Sequence, residues 1–171
     1  MVKSIDKPWC DDVAAGLKFF ECVKNRYQKT HPKKTRLINQ FRQLKARDLF
    51  VILRKGGHKK VTAVAEVQSK QSLEQTDINV LLQRLQPERH DAIKDFLADA
   101  PSFNVVFFSK VYDCRHLENF TLRALVESVP GLHEPEVLVG PGFLTSSTES
   151  RNELESFLKL SKCQLRWQSC V

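Results

Sequence analysis

Residues 4–21, SIDKPWCDDVAAGLKFFE, contain the local signals that decide the fold. Pro8 suits the first turn of a helix, and the acidic side chains that follow it favour the positive end of the helix dipole. Gly16 suits the left-handed conformation that ends many helices. These two signals predict a short helix over residues 9–15.

A strand is predicted on each side of this helix. Residues 2–5 form the first, and residues 18–24 form the second. Because side chains alternate across a strand, Phe19, Glu21 and Val23 share one face of the second strand. Glu21 is therefore expected to be partly buried beside two apolar neighbours.

The chain beyond this stretch adds short strands interleaved with helices. Residues 48–53 and 60–67 predict two strands joined by a Gly-Gly hairpin turn at 56–57. Two amphipathic helices follow, and then a strong apolar strand over residues 104–112. The antiparallel hairpin and the mixture of elements predict an α+β fold with a small barrel or curled sheet at its core. The length of 171 residues predicts one domain, 1–171.

The net charge of +7 is concentrated in residues 25–47, which we call the cationic segment. It holds eight Lys or Arg residues and no Asp or Glu. Taking these eight from the total of 27 leaves 19 basic residues against 20 acidic ones elsewhere. A local patch on a nearly neutral body is typical of a protein with a polyanionic partner. A solvated loop with incidental charge is the alternative.

Composition excludes several classes of protein. No apolar run reaches the length of a membrane helix, and the N-terminus lacks the apolar region of a secretory signal. Five cysteines at irregular spacing do not predict a disulfide framework, so we expect a reducing compartment, cytoplasmic or nuclear. Lys33-Lys34-Thr35-Arg36 also fits a minimal nuclear-import pattern.

The opening stretch resembles the signature of the ASCH domain family. The matching residues are Ser4-Ile5, Pro8-Trp9 and Gly16-x-Lys18-x-x-Glu21. The similarity covers residues 3–69, with a looser match at 104–112. The family usually has a Leu-Lys-x-Gly-Asp turn before its next strand, and Arg47 stands in the Gly position here. The resemblance implies a PUA-like barrel, a cleft between the first helix and the sheet, and RNA binding.

Two further departures bear on activity. The family often has an Arg two residues after the Glu, where this chain has Val23, followed by Lys24, with Arg26 as a possible substitute. One bacterial branch deacylates 4-acetylcytidine with a Lys and a Thr three residues later. Lys18 matches that Lys, but Glu21 occupies the Thr position, and a carboxylate cannot replace an activated hydroxyl. That activity is not supported.

Lys18 and Glu21 are nevertheless the candidate catalytic pair. An ammonium beside a carboxylate could hold a phosphate and a base donor together, and Glu21 could act as acid, base or recognition group. A structural Lys18–Glu21 ion pair is the alternative. Trp9 could stack on a base or simply pack the short helix onto the barrel.

RNA is the expected partner, with DNA as an alternative, and no metal or cofactor is expected because no ligand spacing supports one. Three functions are considered: an RNA-binding module, a hydrolase of RNA or a modified nucleoside, and a modified-base reader of the EVE and YTH kind. The reader would need an aromatic cage from Trp9, Tyr27 and Phe41. The predicted nucleic-acid-binding residues are Lys7, Trp9, Lys18, Glu21, Lys24, Arg26, Lys29, Lys33, Lys34 and Arg36.

Overall fold

The computed structural model of the protein describes residues 1–25, 41–56, 59–132 and 148–168. Its strands are β1 (Val2–Ile5), β2 (Phe20–Lys24), β3 (Leu49–Arg54), β4 (Val61–Glu74), β5 (Ser102–Asp113) and β6 (Gln164–Trp167). They form one sheet in the order β1-β3-β4-β5-β2, and β6 also pairs with β5. The β1–β3 pair is parallel, and the other pairs are antiparallel. The predicted hairpin pairing of β3 with β4 is confirmed.

The described helices surround this sheet. They are α1 (Trp9–Ala14), α2 (Asn79–Leu82), α3 (His90–Leu97), α4 (Leu122–Ser128) and α5 (Thr148–Leu160), with short 3-10 turns at Gln75–Asp77 and Pro87–Arg89. Helix α1 ends one residue earlier than predicted, and Gly16 has the expected left-handed backbone, with φ of 73°. No described helix has the combination of length and apolar character needed to cross a membrane.

The sheet curls into a half-barrel because its longest strands bend. Strand β4 shifts register against β5 on both sides of Val67, and such bulges increase the local twist and bend of a strand. The curl separates an inner face from an outer face along each strand. In β3, for example, Phe50 and Ile52 face the inner core, whereas Val51 and Leu53 face an outer one.

Three apolar clusters result. The inner cluster joins α1 to the concave face of β2, β3, β4 and β5. One outer cluster packs α4 and α5 on β3 and β4, and the other packs α2 and α3 on β2 and β5. The predicted α+β fold is confirmed, and the small barrel that was expected is a partial one, with short helices packed around it.

Arg47 has a left-handed backbone, the conformation that glycine adopts most readily. Its φ of 71° lies in the left-handed region, which costs a non-glycine residue about 1–2 kcal/mol. The turn is held by Arg47 N–H donating to the Val67 carbonyl at 2.7 Å, and by Val67 N–H donating to Asp48 at 2.8 Å. The departure in sequence therefore leaves the predicted turn intact.

Candidate functional site

Glu21 binds two lysine side chains at the inner face of the half-barrel. Its Oε2 accepts from Lys18 Nζ at 2.9 Å, and its Oε1 accepts from Lys3 Nζ. Lys3 lies on β1 and Glu21 on β2, which are the two strands at the ends of the main sheet path. The ion pair therefore joins the two ends of the curled sheet.

This cluster is buried. Lys18 is 3% exposed and Glu21 is 6% exposed, which confirms the predicted burial of Glu21. Burial alone would raise the pKa of Glu21, but the charges and hydrogen bonds of Lys18 and Lys3 lower its pKa to about 2. Glu21 is thus ionised at neutral pH, where it has no proton to donate and is a weak base.

Aromatic rings enclose the two ammonium groups. Lys18 Nζ lies 5.0 Å from the Trp9 ring centroid and 4.9 Å from that of Phe20. Lys3 Nζ lies 5.4 Å from the Phe41 centroid. Such cation–π contacts help to stabilise the excess positive charge of two ammoniums around one carboxylate.

The rings of Trp9 and Phe41 therefore already contact lysine side chains of the protein itself. Trp9 is half-buried and packs between the inner cluster and the outer cluster under α2 and α3, as in its packing interpretation. Phe41 is 1% exposed. The third proposed cage residue, Tyr27, lies outside the described residues.

The other predicted lysines are at separate places. Lys7 is exposed and lies 3.8 Å from an Asp11 oxygen. Lys24 pairs with Asp99 at 2.8 Å and lies over the Phe96 ring, so it is directed away from Glu21. The structure does not bring either of them to the Lys3–Lys18–Glu21 cluster. Arg26, Lys29, Lys33, Lys34 and Arg36 lie outside the described residues.

The two ends of the cationic segment are held on neighbouring strands. Its start contacts β5, and its end contacts β4. At its start, Asn25 donates to Ser102 at 2.9 Å and accepts from Asn104. Towards its end, the Arg42 carbonyl accepts from Lys70, and Arg47 binds Val67 on β4.

An open cleft of about 860 Å³ lies beside this second anchor. Gln68, the residue after Val67, is part of its wall. The turn between α1 and β2 and the turn after α2 supply other walls, joined by a backbone bridge between Lys18 and Leu85. The lining residues are Gly16, Leu17, Phe19, Gln68, Gln83, Arg84, Leu85, Gln86, Ser109, Trp167 and Gln168.

Three residues that dominate these sites, Lys3, Arg84 and Trp167, are not predicted from the sequence. Lys3 could have been predicted, because it lies two residues before Ile5 and therefore shares the face of β1 that turns towards the inner core. Arg84 and Trp167 carry no comparable local signal. Among the described residues, no three His, Cys, Asp or Glu side chains form a group suited to a metal ion.

No protein-family model matches the sequence, and no curated protein matches it. Solved structures of the ASCH protein from Zymomonas mobilis match its fold. A tyrosine-to-phenylalanine variant has a TM-score of 0.52 at 12% identity, covering 93% of this chain and 96% of that one. A serine-to-alanine variant has a TM-score of 0.51 at 13% identity, covering 93% and 94%. The ASCH-like fold predicted from residues 4–21 is thereby confirmed.

Proposed function

We propose that this protein is a non-catalytic RNA-binding module of the ASCH, PUA-like type, located in the cytoplasm or nucleus. It binds single-stranded or structured RNA through the cationic segment and the cleft beside it. One observation carries this proposal: the segment with the whole charge excess is held on β5 at its start and on β4 at its end, and the later anchor, at Val67, adjoins the cleft residue Gln68.

The chemistry of this arrangement suits a phosphate backbone. Eight cations without an acidic residue attract a polyanion and release its counterions on binding, which supplies affinity without sequence preference. The neighbouring cleft has apolar, amide and guanidinium groups, which suit bases that are not paired.

Binding is better supported than hydrolysis. A hydrolase that used Lys18 and Glu21 would need them to reach a substrate, but both are buried and bind each other. A low pKa also suits Glu21 for a permanent ion pair rather than for proton transfer. A modified-base reader would use Trp9 and Phe41 as an aromatic cage. A base bound there would have to displace the lysine ammonium groups from these two rings.

The test is a binding titration with a fluorescein-labelled 12-nucleotide single-stranded RNA, followed by anisotropy at about 100 mM salt. The double variant Lys33→Glu with Lys34→Glu should weaken binding at least tenfold, because it reverses two charges in the segment. A matched control, Lys94→Glu with Lys159→Glu, makes the same change in net charge on α3 and α5 and should change affinity less than threefold.

Two results would oppose the proposal. An RNA affinity that is the same for both double variants would remove the cationic segment as the binding platform. RNA turnover that disappears in Glu21→Ala, while the variant still folds, would favour the hydrolase instead.

A further inference from the structure

The cleft exists because two strands share one edge of β5. Strand β4 pairs along one edge of β5 from Ser102 to Asp113. On the other edge, β2 pairs with residues 103–107 and β6 pairs with residues 110–113. The two strands separate between Phe108, which donates to Phe19, and Ser109, which accepts from Gln168. The cleft opens at this separation.

Arg84 is held in position inside the cleft. Its Nη1 donates to Gln168 Oε1 at 3.0 Å and to Gln68 Oε1 at 3.3 Å. Its Cζ lies 4.4 Å from the centroid of the Phe107 ring. Among the residues that the structure describes, no carboxylate pairs with this guanidinium. A fixed guanidinium with further N–H donors and no paired acid suits a phosphate.

Two large apolar side chains remain exposed at the same place. Trp167 is 63% exposed and Leu17 is 37% exposed, and both line the cleft. Lys110 Nζ lies 5.9 Å from the Trp167 ring centroid. Exposed apolar groups in a cleft with polar walls are typical of a binding site.

We propose that this cleft is a subsite for one unpaired nucleotide of a single-stranded RNA. The base stacks on Trp167, its phosphate binds Arg84, and the amides of Gln83 and Gln86 contact the base edge or the ribose. The cleft volume is in the range of ligand sites for molecules of this size. This inference rests on the proposed RNA-binding function but names different residues, so the two can fail separately.

The test uses the same labelled 12-mer, prepared as oligoadenylate, with variants of the cleft. Trp167→Ala should weaken binding roughly 5- to 150-fold, which is the range for loss of one base stack, and should leave the salt dependence unchanged. Arg84→Gln should weaken binding and reduce the salt slope by about 0.7, the value for one phosphate contact on a single strand. A base stacked on Trp167 should quench its fluorescence, and Trp167→Phe should keep most of the affinity but lose that quenching.

Matched controls remove equivalent groups outside the cleft. Leu160→Ala removes another exposed apolar side chain, and Arg123→Gln removes another exposed guanidinium. Both should bind RNA within twofold of the unsubstituted protein, and circular dichroism should show that all variants fold.

The outcomes separate the two proposals. If the 12-mer binds but Trp167→Ala and Arg84→Gln match their controls, the subsite is wrong and the RNA-binding function stands. If the cleft variants lose binding while Lys33→Glu with Lys34→Glu does not, the cleft stands and the cationic platform is wrong. If no RNA binds even at about 20 mM salt, both are wrong.

Discussion

The Glu21 carboxylate is the side chain on which the most depends. It forms ion pairs with the ammonium groups of both Lys3 and Lys18. Among the described residues, it is the sole acidic group in this cluster. A buried charge that loses its partner is costly, whereas replacement of a surplus charge by an apolar group often costs little. The cluster has one ammonium more than it has carboxylates, so its members should differ sharply in their effect on stability.

Glu21→Gln should lower the free energy of unfolding by about 3–5 kcal/mol, because it leaves Lys3 and Lys18 facing each other without an anion. Lys18→Met should cost less than about 1.5 kcal/mol, because it leaves a balanced Lys3–Glu21 pair and places an apolar side chain against Trp9 and Phe20. Urea unfolding at pH 7 measures both. Equal losses would mean that Lys18 is as essential to the cluster as Glu21.

The ion pair also predicts how stability depends on pH. The pKa of Glu21 falls from 4.5 to about 2 on folding, so folding releases its proton at intermediate pH. This contributes about 3 kcal/mol that is fully present above pH ~5 and is lost as the pH falls towards 2. Urea unfolding between pH 7 and pH 2 should show this loss.

Glu21→Gln supplies the control for the pH prediction. Because glutamine does not titrate, the unfolding free energy of this variant should fall less steeply with pH below pH 5. The difference in slope from the unsubstituted protein should correspond to at most one bound proton. An unchanged slope would assign the acid sensitivity to other carboxylates. Exposed Glu118→Gln should leave the slope as it is in the unsubstituted protein.

Among the secondary-structure elements, β6 pairs with β5 and also packs against the turn between α1 and β2. A Cβ at Gly16 would lie 3.0 Å from Arg166 Cβ and 3.1 Å from its Cγ. The backbone of the turn at Gly16 therefore packs directly against the Arg166 side chain of β6. The same contact fixes one wall of the cleft, since Gly16 and Trp167 both line it.

Two glycine variants measure this contact. Gly16 and Gly56 both have left-handed backbones, with φ of 73° and 77°, but no atom of the described residues lies within 4 Å of a Cβ at Gly56. Gly56→Ala should cost about 1 kcal/mol from backbone strain alone. Gly16→Ala should cost at least about 1 kcal/mol more, because it also pushes against Arg166. Equal costs in urea unfolding would show that β6 moves away freely.

The molecule as a whole combines a nearly neutral body with one cationic segment. Its three apolar clusters lie inside and outside the half-barrel, and the net charge comes from residues that join β2 to β3. This division separates the apolar side chains that stabilise the fold from the charges that we propose bind RNA. Reversal of the charges at Lys33 and Lys34 should therefore alter RNA affinity and its salt dependence, with little effect on unfolding.

RNA affinity should fall steeply with salt. If four to eight cations each neutralise one phosphate, the logarithm of affinity should change with the logarithm of salt concentration at a slope of about −3 to −6. Anisotropy titrations with the 12-mer between about 50 and 300 mM salt measure this slope. A slope near zero would mean that the cationic segment does not contact the phosphates.

Local signals in the sequence determined a large part of this structure. Proline and glycine mark the limits of α1 because each restricts or permits specific backbone angles. Alternation of side chains in the second strand placed Glu21 on the same face as Phe19 and Val23, because side chains of a strand alternate whatever the strand pairs with. The charge of residues 25–47 is a property of composition and needs no fold.

Only the tertiary structure decided which distant residues meet. Lys3 reaches Glu21 because the sheet curls until β1 approaches β2, and that curvature comes from bulges on a different strand. Arg84 and Trp167 line one cleft because β2 and β6 divide the edge of β5 between them. Neither contact follows from spacing in the sequence, since strand order and curvature are set by the packing of the whole sheet.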